Sequence, residues 1–339
     1  MTVQILSTLG PGSLNKEIVQ SLAKKGVNLF RINLSHTALD DVESIISKIQ
    51  SWTDVPVCLD SEGAQVRNGF MESGSVVYQT GDLVYIHPES IVGDRQSISF
   101  TPNSVFSQLN EGDEIRVDFD SATFRITGKE SEQLIASVIQ GGRIGSNKGA
   151  VINRPLQLDP ITPKDKAAFD IGLSMGVNNF ALSFTNSAED VQRVREIIGE
   201  TMLISKIESI NGVLNLKDIL PLVNQILIDR GDLSREISIE KIPFIQRSII
   251  AYAHMYETPV YVATNLLESM INHGSPTRAE ANDVASTLLM GASGLVLAAE
   301  TAIGQYPVES VEMVNAIIKQ FEHWSPNISF QDLISSEVR

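Results

Sequence analysis

Two short strings narrow the chemistry open to this 339-residue chain: Lys206-Ile207-Glu208 and Asp229-Arg230-Gly231-Asp232. Residues two apart on an extended strand share a face, so Lys206 and Glu208 point to one side and Ile207 to the other. Glu208 and Asp232 offer hard carboxylate oxygens. Two such groups, with room for water and ligand oxygens, suit Mg²⁺ or Mn²⁺. Lys206 and Arg31, the latter in Arg31-Ile32-Asn33-Leu34-Ser35-His36, add fixed positive charge suited to phosphoryl oxygens and to charge developing in their transfer. Asn33, Ser35 and Asp60 form an oxygen-rich group able to hold a monovalent cation. Ser183, Thr264-Asn265 and Glu300-Thr301 complete the polar residues at strand ends. Taken singly, each acid or lysine is more readily a helix cap or an ion pair. Their joint arrival at one face argues for a site. His36 reads equally well as a solvent-facing or capping residue. Gly141-Gly142-Arg143-Ile144-Gly145 reads as a β-turn rather than a phosphate loop, because no Walker pattern surrounds it.

The elements that must position these residues alternate between short apolar strands and amphipathic helices. Strands are expected at residues 3–7, 27–31, 55–59, 179–183, 202–206, 225–228, 259–264 and 294–297. Ser13 is the expected cap of the first helix, whose stripe is Ile18, Leu22 and Ala23 and whose end is Gly26. Later helices are expected at 164–175, after Ser187, and at 212–223, 241–257, 277–290 and 308–321. Eight strand–helix units over about 250 residues match a (β/α)₈ TIM barrel. The rival open sheet lacks its Gly-x-Gly-x-x-Gly turn after the first strand. Between the third strand and its helix the pattern changes. Alternating segments at 76–78, 83–86, 114–119, 123–126 and 134–138, separated by Gly- and Asp-rich turns, predict a small all-β domain inserted there. The expected division is a barrel of residues 1–68 and 156–324, an insert of 69–155 and a polar tail of 325–339.

Composition bounds the function class. With 42% hydrophobic and 20% charged residues the chain reads as an ordinary globular protein. Its apolar runs are too short for a bilayer and its start lacks a signal-peptide pattern, so no membrane role is expected. A single cysteine, Cys58, cannot form an internal disulfide, which suits a reducing, cytoplasmic setting. A net charge of −15 argues against general nucleic-acid binding. It leaves an anionic ligand open, since a local basic pocket can outweigh the overall field.

Several strings together resemble the pyruvate kinase family: Ser7-Thr8-Leu9-Gly10-Pro11, Phe30 to His36, Ser205 to Glu208, Arg230-Gly231-Asp232-Leu233, Ala263 to Met270, Pro276 to Glu280 and Glu300-Thr301-Ala302. The likeness runs over about residues 3 to 323, and the insert falls where that family places its lid domain. It implies phosphoryl transfer from phosphoenolpyruvate to ADP, giving pyruvate and ATP. By the same resemblance Lys206 would stabilise the phosphoryl group in flight and Arg31 would contact it. Glu208 and Asp232 would ligate Mg²⁺, and Thr264 would sit near the enolate carbon. Gly231 and its neighbours would offer N–H groups to a substrate carboxylate. Asn33, Ser35, Asp60 and the Ser61 carbonyl would hold K⁺. His36, Arg67 and Lys148 would lie on the nucleotide side.

The departures from the family pattern are as specific as the matches. Glu62 stands for a lysine and Gln65 for the glutamate tied to K⁺ dependence, which puts K⁺ use in question. Ala298 replaces a serine of the proton relay, and Asp229 replaces a small residue beside the carboxylate pocket. The chain stops after the eighth helix, so the family's C-terminal regulatory domain is expected to be missing. A homodimer through the helices near strands six to eight is compatible with the pattern. Two other readings stay open: a related enzyme acting on another phosphoryl acceptor or another 2-oxo or enol acid, and a non-catalytic ligand-sensing homologue. The intact metal ligands and Lys206 count against the last.

Overall fold

The computed structural model describes residues 2–118 and 121–335. It has two compact units: one runs to Gly63 and resumes at Pro160, and the other spans Ala64–Asp159.

In the first unit eight parallel strands close a barrel in sequence order: Gln4–Thr8, Leu29–Asn33, Val57–Asp60, Asn179–Leu182, Met202–Ile207, Gln225–Asp229, Val260–Ala263 and Gly294–Leu297. The ring closes where Gln4 pairs with Gly294. Alternation along each strand sorts the side chains. Ile5, Phe30, Leu59, Phe180, Leu203 and Ile226 join a core shared with the helices. Leu6, Leu29, Cys58, Ala181, Ile204, Leu227, Tyr261 and Val296 form a separate buried cluster that fills the barrel. Both faces are covered, which is why these strands read as apolar runs in the sequence.

The helices begin where short polar side chains satisfy their first N–H groups. Thr162, Ser187 and Thr277 cap helices Pro163–Ser174, Ala188–Ile198 and Arg278–Leu289, each in a reciprocal box with Asp165, Asp190 or Glu280. The first helix, Lys16–Lys24, is capped by Asn15, not by the expected Ser13. Ser13 is buried, and its hydroxyl accepts the Gly10 N–H instead. The helix expected at 212–223 is broken into Ile210–Leu214, Leu216–Ile219 and a tight turn at Leu220–Leu222, where Pro221 lacks an N–H to continue it.

The inserted unit is a second closed barrel of seven strands. Their order is Gln133–Gln140, Leu83–His87, Ser97–Thr101, Val66–Asn68, Gly149–Ile152, Glu114–Val117 and Ala122–Glu130. It has its own core, including Val84, Ile98, Ile115, Phe124 and Ala136. The unit is wider than the 69–155 read from sequence because Val66–Asn68 is one of its staves: Arg67 pairs with Gly149 and with Thr101. Gly142–Gly145 is a strand paired with Ser75–Tyr78, not the turn expected there. The segment expected at 114–119 is a strand to Val117, and Phe119 lies outside the described residues. In the tail, where no element was expected, Phe330–Ser335 is helical, and residues 336–339 are outside the described set.

Candidate active site

The barrel's interior cluster sets the register of the site. On six of the eight strands a polar residue stands two beyond the apolar interior side chain: Thr8 after Leu6, Arg31 after Leu29, Asp60 after Cys58, Ser183 after Ala181, Lys206 after Ile204 and Asp229 after Leu227; Tyr261 and Val296 are followed by Ala263 and Ala298. The period-two strand therefore builds a polar layer directly on an apolar floor. Strands two and three run further than expected, so Asn33 and Asp60 are paired strand residues rather than loop residues. The outward Ile207 sits in the helix-facing core, while Lys206 Nζ lies 3.0 Å from Glu208 Oε1.

Asp60 is the hub of this layer and is fully buried. Arg31 Nε donates to its Oδ2 at 2.5 Å, Lys206 Nζ to the same oxygen at 3.1 Å, and Ser183 Oγ to Oδ1 at 3.2 Å. Arg31 Nη1 also donates to Thr8 Oγ1, and Lys206 Nζ to Ser183 Oγ. Burial is the largest influence on each of these groups, and charge partners outweigh it. Asp60 is held below the ordinary carboxylate range by Arg31 and Lys206. Arg31 and Lys206 are both raised, Asp60 being the main cause. The two cations are thus fixed in place and fully ionised.

Glu208 behaves differently. Burial pushes its carboxyl up, Lys206 opposes this, and Asp232, Asp229 and Asp60 add to it, leaving it pushed up to about 8. One oxygen accepts the Phe184 N–H at 2.7 Å. Carboxylate oxygens of Glu208, Asp229 and Asp232 lie within 4.8 Å of one another. Lys206, Arg31 and, through a 3.0 Å pair with Asp232, Arg235 are cations beside these three acids. Three convergent hard-oxygen groups with an excess of negative charge fit a divalent cation of the Mg²⁺ or Mn²⁺ kind. Asp229, read from the sequence only as added negative charge, belongs to this group.

Around it the backbone is specially shaped. Thr264 has φ +77°, unusual for a β-branched residue, and Arg230 donates to its carbonyl from Nε at 3.1 Å and Nη2 at 2.6 Å. Arg230 is itself anchored by Asp283 at 2.7 Å. Gly231 packs so closely that an added Cβ would meet Thr264 Cγ2 at 2.8 Å.

The oxygens that the resemblance assigns to K⁺ already have hydrogen-bond partners within the protein. Asn33 Oδ1 accepts the Ser35 N–H, both Asp60 oxygens are engaged, and the Ser61 carbonyl accepts Ser183 Oγ at 2.7 Å. Between Asn33 and Ser35, the Leu34 carbonyl accepts Lys164 Nζ at 2.6 Å, and that ammonium is paired with Glu62 at 2.8 Å. Sequence reasoning missed Lys164, Ser183 as a shared partner, and Asp165. The last accepts the Glu62 and Gly63 N–H groups and so ties the chain's exit from the barrel to its return. Gly63, at φ +73°, has the Ser183 carbonyl where a Cβ would stand.

His36 lines a cavity of about 490 Å³ with Thr8, Pro11, Arg31, Asn33, Ala298 and Ile303. Glu300 is buried and clamps two loops by accepting the Leu267 and Ala298 N–H groups. Arg67 and Lys148 belong to the inserted unit. There Arg67 donates to the Asn147 carbonyl, and Lys148 Nζ stands 3.8 Å from Asp118.

A closed parallel barrel whose strand ends set a buried lysine and arginine beside three convergent acids is a (β/α)₈-barrel protein equipped for a divalent cation and an anionic ligand. The chain belongs to the pyruvate kinase family: the family model described as pyruvate kinase, barrel domain, matches residues 1–311. It is 32% identical over 331 residues to the pyruvate kinase of Thermotoga maritima, covering 95% of this chain and 71% of that protein. To the pyruvate kinase of Thermococcus litoralis it is 32% identical over 340 residues, covering 97% and 72%. The crystal structure of a pyruvate kinase from Cryptosporidium parvum superposes with a TM-score of 0.85 at 29% identity, over 96% of this chain and 70% of that one. No helix among the described residues is long and apolar enough to cross a membrane.

Proposed function

We propose that this chain moves the phosphoryl group of phosphoenolpyruvate to ADP, yielding pyruvate and ATP. The observation that carries the proposal is the seating of Lys206, 3.1 Å from Asp60 and 3.0 Å from Glu208, beside the three-acid group. In the reaction the bond from phosphorus to the enol oxygen breaks. A bond from phosphorus to a β-phosphate oxygen of ADP forms, and the enolate carbon takes a proton. Glu208, Asp232 and Asp229 would hold Mg²⁺ or Mn²⁺, which supplies positive charge against the transferring oxygens. Arg31 and Lys206 are already charged and immobilised by Asp60, so they meet developing negative charge without reorganising. Thr264 stands beside the carbon to be protonated. Ala298 offers no hydroxyl for that proton transfer. His36 and the cavity it lines would accommodate a flat nucleotide base. K⁺ has no part in this account.

The test is pyruvate formation from phosphoenolpyruvate and ADP with Mg²⁺, beside Lys206→Met. The variant is expected to lose about a thousandfold in kcat, the scale of losing a preorganised charge. Equal background rates for both proteins would defeat the proposal. Ala298 favours one second reading, turnover of a different enol or 2-oxo acid. Steady turnover of such an acid with no pyruvate formed would select it.

A further inference from the structure

We infer that Asp41 is a specificity-determining residue for the nucleotide, and that it favours a guanine base over adenine. The cavity of about 490 Å³ has a mostly apolar lining, to which Leu9, Pro11, Leu14 and Ile303 contribute. Arg31, buried at the end of its strand, is the cation among its lining residues other than His36. Helix Leu39–Trp52 adds the exposed Asp41 and, one turn on, the half-buried Ile45. Among the described residues no hydrogen bond or ion pair engages the Asp41 carboxylate, so both its oxygens are open to a ligand. An ionised carboxylate only accepts hydrogen bonds, and it repels phosphate oxygens. Arg31 attracts them. A nucleotide in this cavity therefore turns its phosphates toward Arg31 and its base toward Asp41. Residues four apart on a helix are neighbours, so a ring lying against Ile45 brings its edge to Asp41.

The edges of the two purines answer a carboxylate differently. Guanine presents its ring N–H and its amino group side by side, two donors that match the two carboxylate oxygens in a forked pair. Adenine presents an amino donor beside a ring nitrogen that accepts. One carboxylate oxygen then gains a hydrogen bond and the other faces a lone pair, so Asp41 discriminates by repulsion as well as by attraction. Its neighbour Asp40 carries the same charge in the same first turn of the helix but does not line the cavity.

The inference rests on the proposed placing of a nucleotide in this cavity, but its test needs no turnover. Dissociation constants of GDP, IDP and ADP are measured at saturating Mg²⁺ for wild type, Asp41→Ala, Asp41→Asn and Asp40→Asn. Ratios between nucleotides cancel any effect common to all diphosphates. Wild type is expected to bind GDP about tenfold more tightly than ADP, the scale of one charge-assisted hydrogen bond at an exposed position. IDP keeps the ring N–H and lacks the amino group, so it should fall between them. The amide of Asp41→Asn offers one acceptor and one donor and can pair with either base. Both Asp41 variants should therefore bring the GDP-to-ADP ratio to within about twofold of unity, while Asp40→Asn keeps the wild-type ranking. Equal binding of GDP and ADP by wild type would overturn the inference, and so would a preference that survives both Asp41 variants. An equal loss for all three nucleotides would also overturn it, since that marks a carboxylate bound to ribose hydroxyls. A wild type that prefers GDP but makes no pyruvate with either nucleotide would defeat the proposed reaction and leave this inference standing.

Discussion

The barrel mouth and the inserted unit each present a lysine to which the family resemblance gives a role, and the two are held in opposite ways. Lys206 has a side chain 5% exposed and is fixed by Asp60, Ser183 and Glu208. Lys148 is 45% exposed and stands 3.8 Å from Asp118. The first arrangement is costly to build, because each charge leaves water and only several partners together offset that. In return the charge is in position before the ligand arrives, the condition under which it lowers a barrier. An exposed lysine costs almost nothing to place and acts chiefly on encounter and affinity. The comparison separates residues that govern rate from residues that govern binding.

Substituting the two lysines is the strongest way to break this contrast. Beyond its loss of about a thousandfold in kcat, Lys206→Met should destabilise the fold by less than the about 3–5 kcal/mol of an ordinary broken buried pair. Asp60 keeps Arg31, and Glu208, whose carboxyl burial already pushes toward the neutral form, leaves no bare charge behind. Thermal unfolding without metal checks this. A collapse of the fold would show that Lys206 is the barrel's keystone rather than its rate-determining charge.

Glu208 sharpens the contrast through pH. Its carboxyl is pushed up to about 8 in the metal-free protein, so it carries a proton through the neutral range that the unfolded chain does not. The folded state then binds the extra proton between the ordinary glutamate value and about 8. Across that window metal-free stability should decline as pH rises and level off above it. Metal binding needs the carboxylate ionised. Apparent Mg²⁺ affinity should therefore rise by up to about tenfold per pH unit from 6 to 8 and flatten beyond, with one proton released per ion. Calorimetric titration in buffers of different ionisation enthalpy reads that proton. Affinity independent of pH over this range would remove Glu208 from the metal site.

How much of this was legible beforehand depends on the distance over which each feature is decided. The barrel strands and Lys206-Ile207-Glu208 are local patterns of period two, and they could be read directly. Asn15 displaced Ser13 as a cap because Ser13 turns back to Gly10, a choice made by the fold of the preceding turn. In the insert, Val66–Asn68, Ser97–Thr101 and Gly149–Ile152 are short and in part glycine- or asparagine-bearing, and they become strands only through partners far away in sequence. The Lys164–Glu62 pair joins residues 102 apart, and the capture of Asp229 by Thr264 joins residues 35 apart. Residue types flagged these positions, but nothing local could reveal who meets whom.

On the insert side, Lys148→Ala should raise the KM for ADP severalfold, leave kcat within about twofold and leave the unfolding temperature unchanged, as expected of an exposed charge. Steady-state kinetics at two ionic strengths gives the check. The wild-type advantage should shrink in high salt, since screening weakens an exposed charge far more than a buried one. A fall in kcat comparable to that of Lys206→Met would erase the distinction between the two regions.

The smallest expected effect concerns monovalent cations. A K⁺ ion needs several oxygens with lone pairs turned toward it. Here Asn33 Oδ1 is turned to the Ser35 N–H, Asp60 accepts from Arg31 and Lys206, and the one Ser183 hydroxyl proton lies within reach of the Ser61 carbonyl at 2.7 Å and of Asp60 Oδ1 at 3.2 Å. The neighbouring Leu34 carbonyl already has a cation of its own in the Lys164 ammonium, steadied by Glu62. Glu62 thus serves the chain as the anchor of an internal positive charge close to the oxygens a soluble ion would use. Replacing K⁺ by a bulky organic cation at constant ionic strength should change the rate by less than about twofold, because these oxygens already have hydrogen-bond partners within the protein. Glu62→Ala frees Lys164 and should be the variant in which any K⁺ response emerges. A wild type whose rate climbs manyfold with K⁺ would mean that the Asn33, Asp60 and Ser61 oxygens reopen when ligands bind.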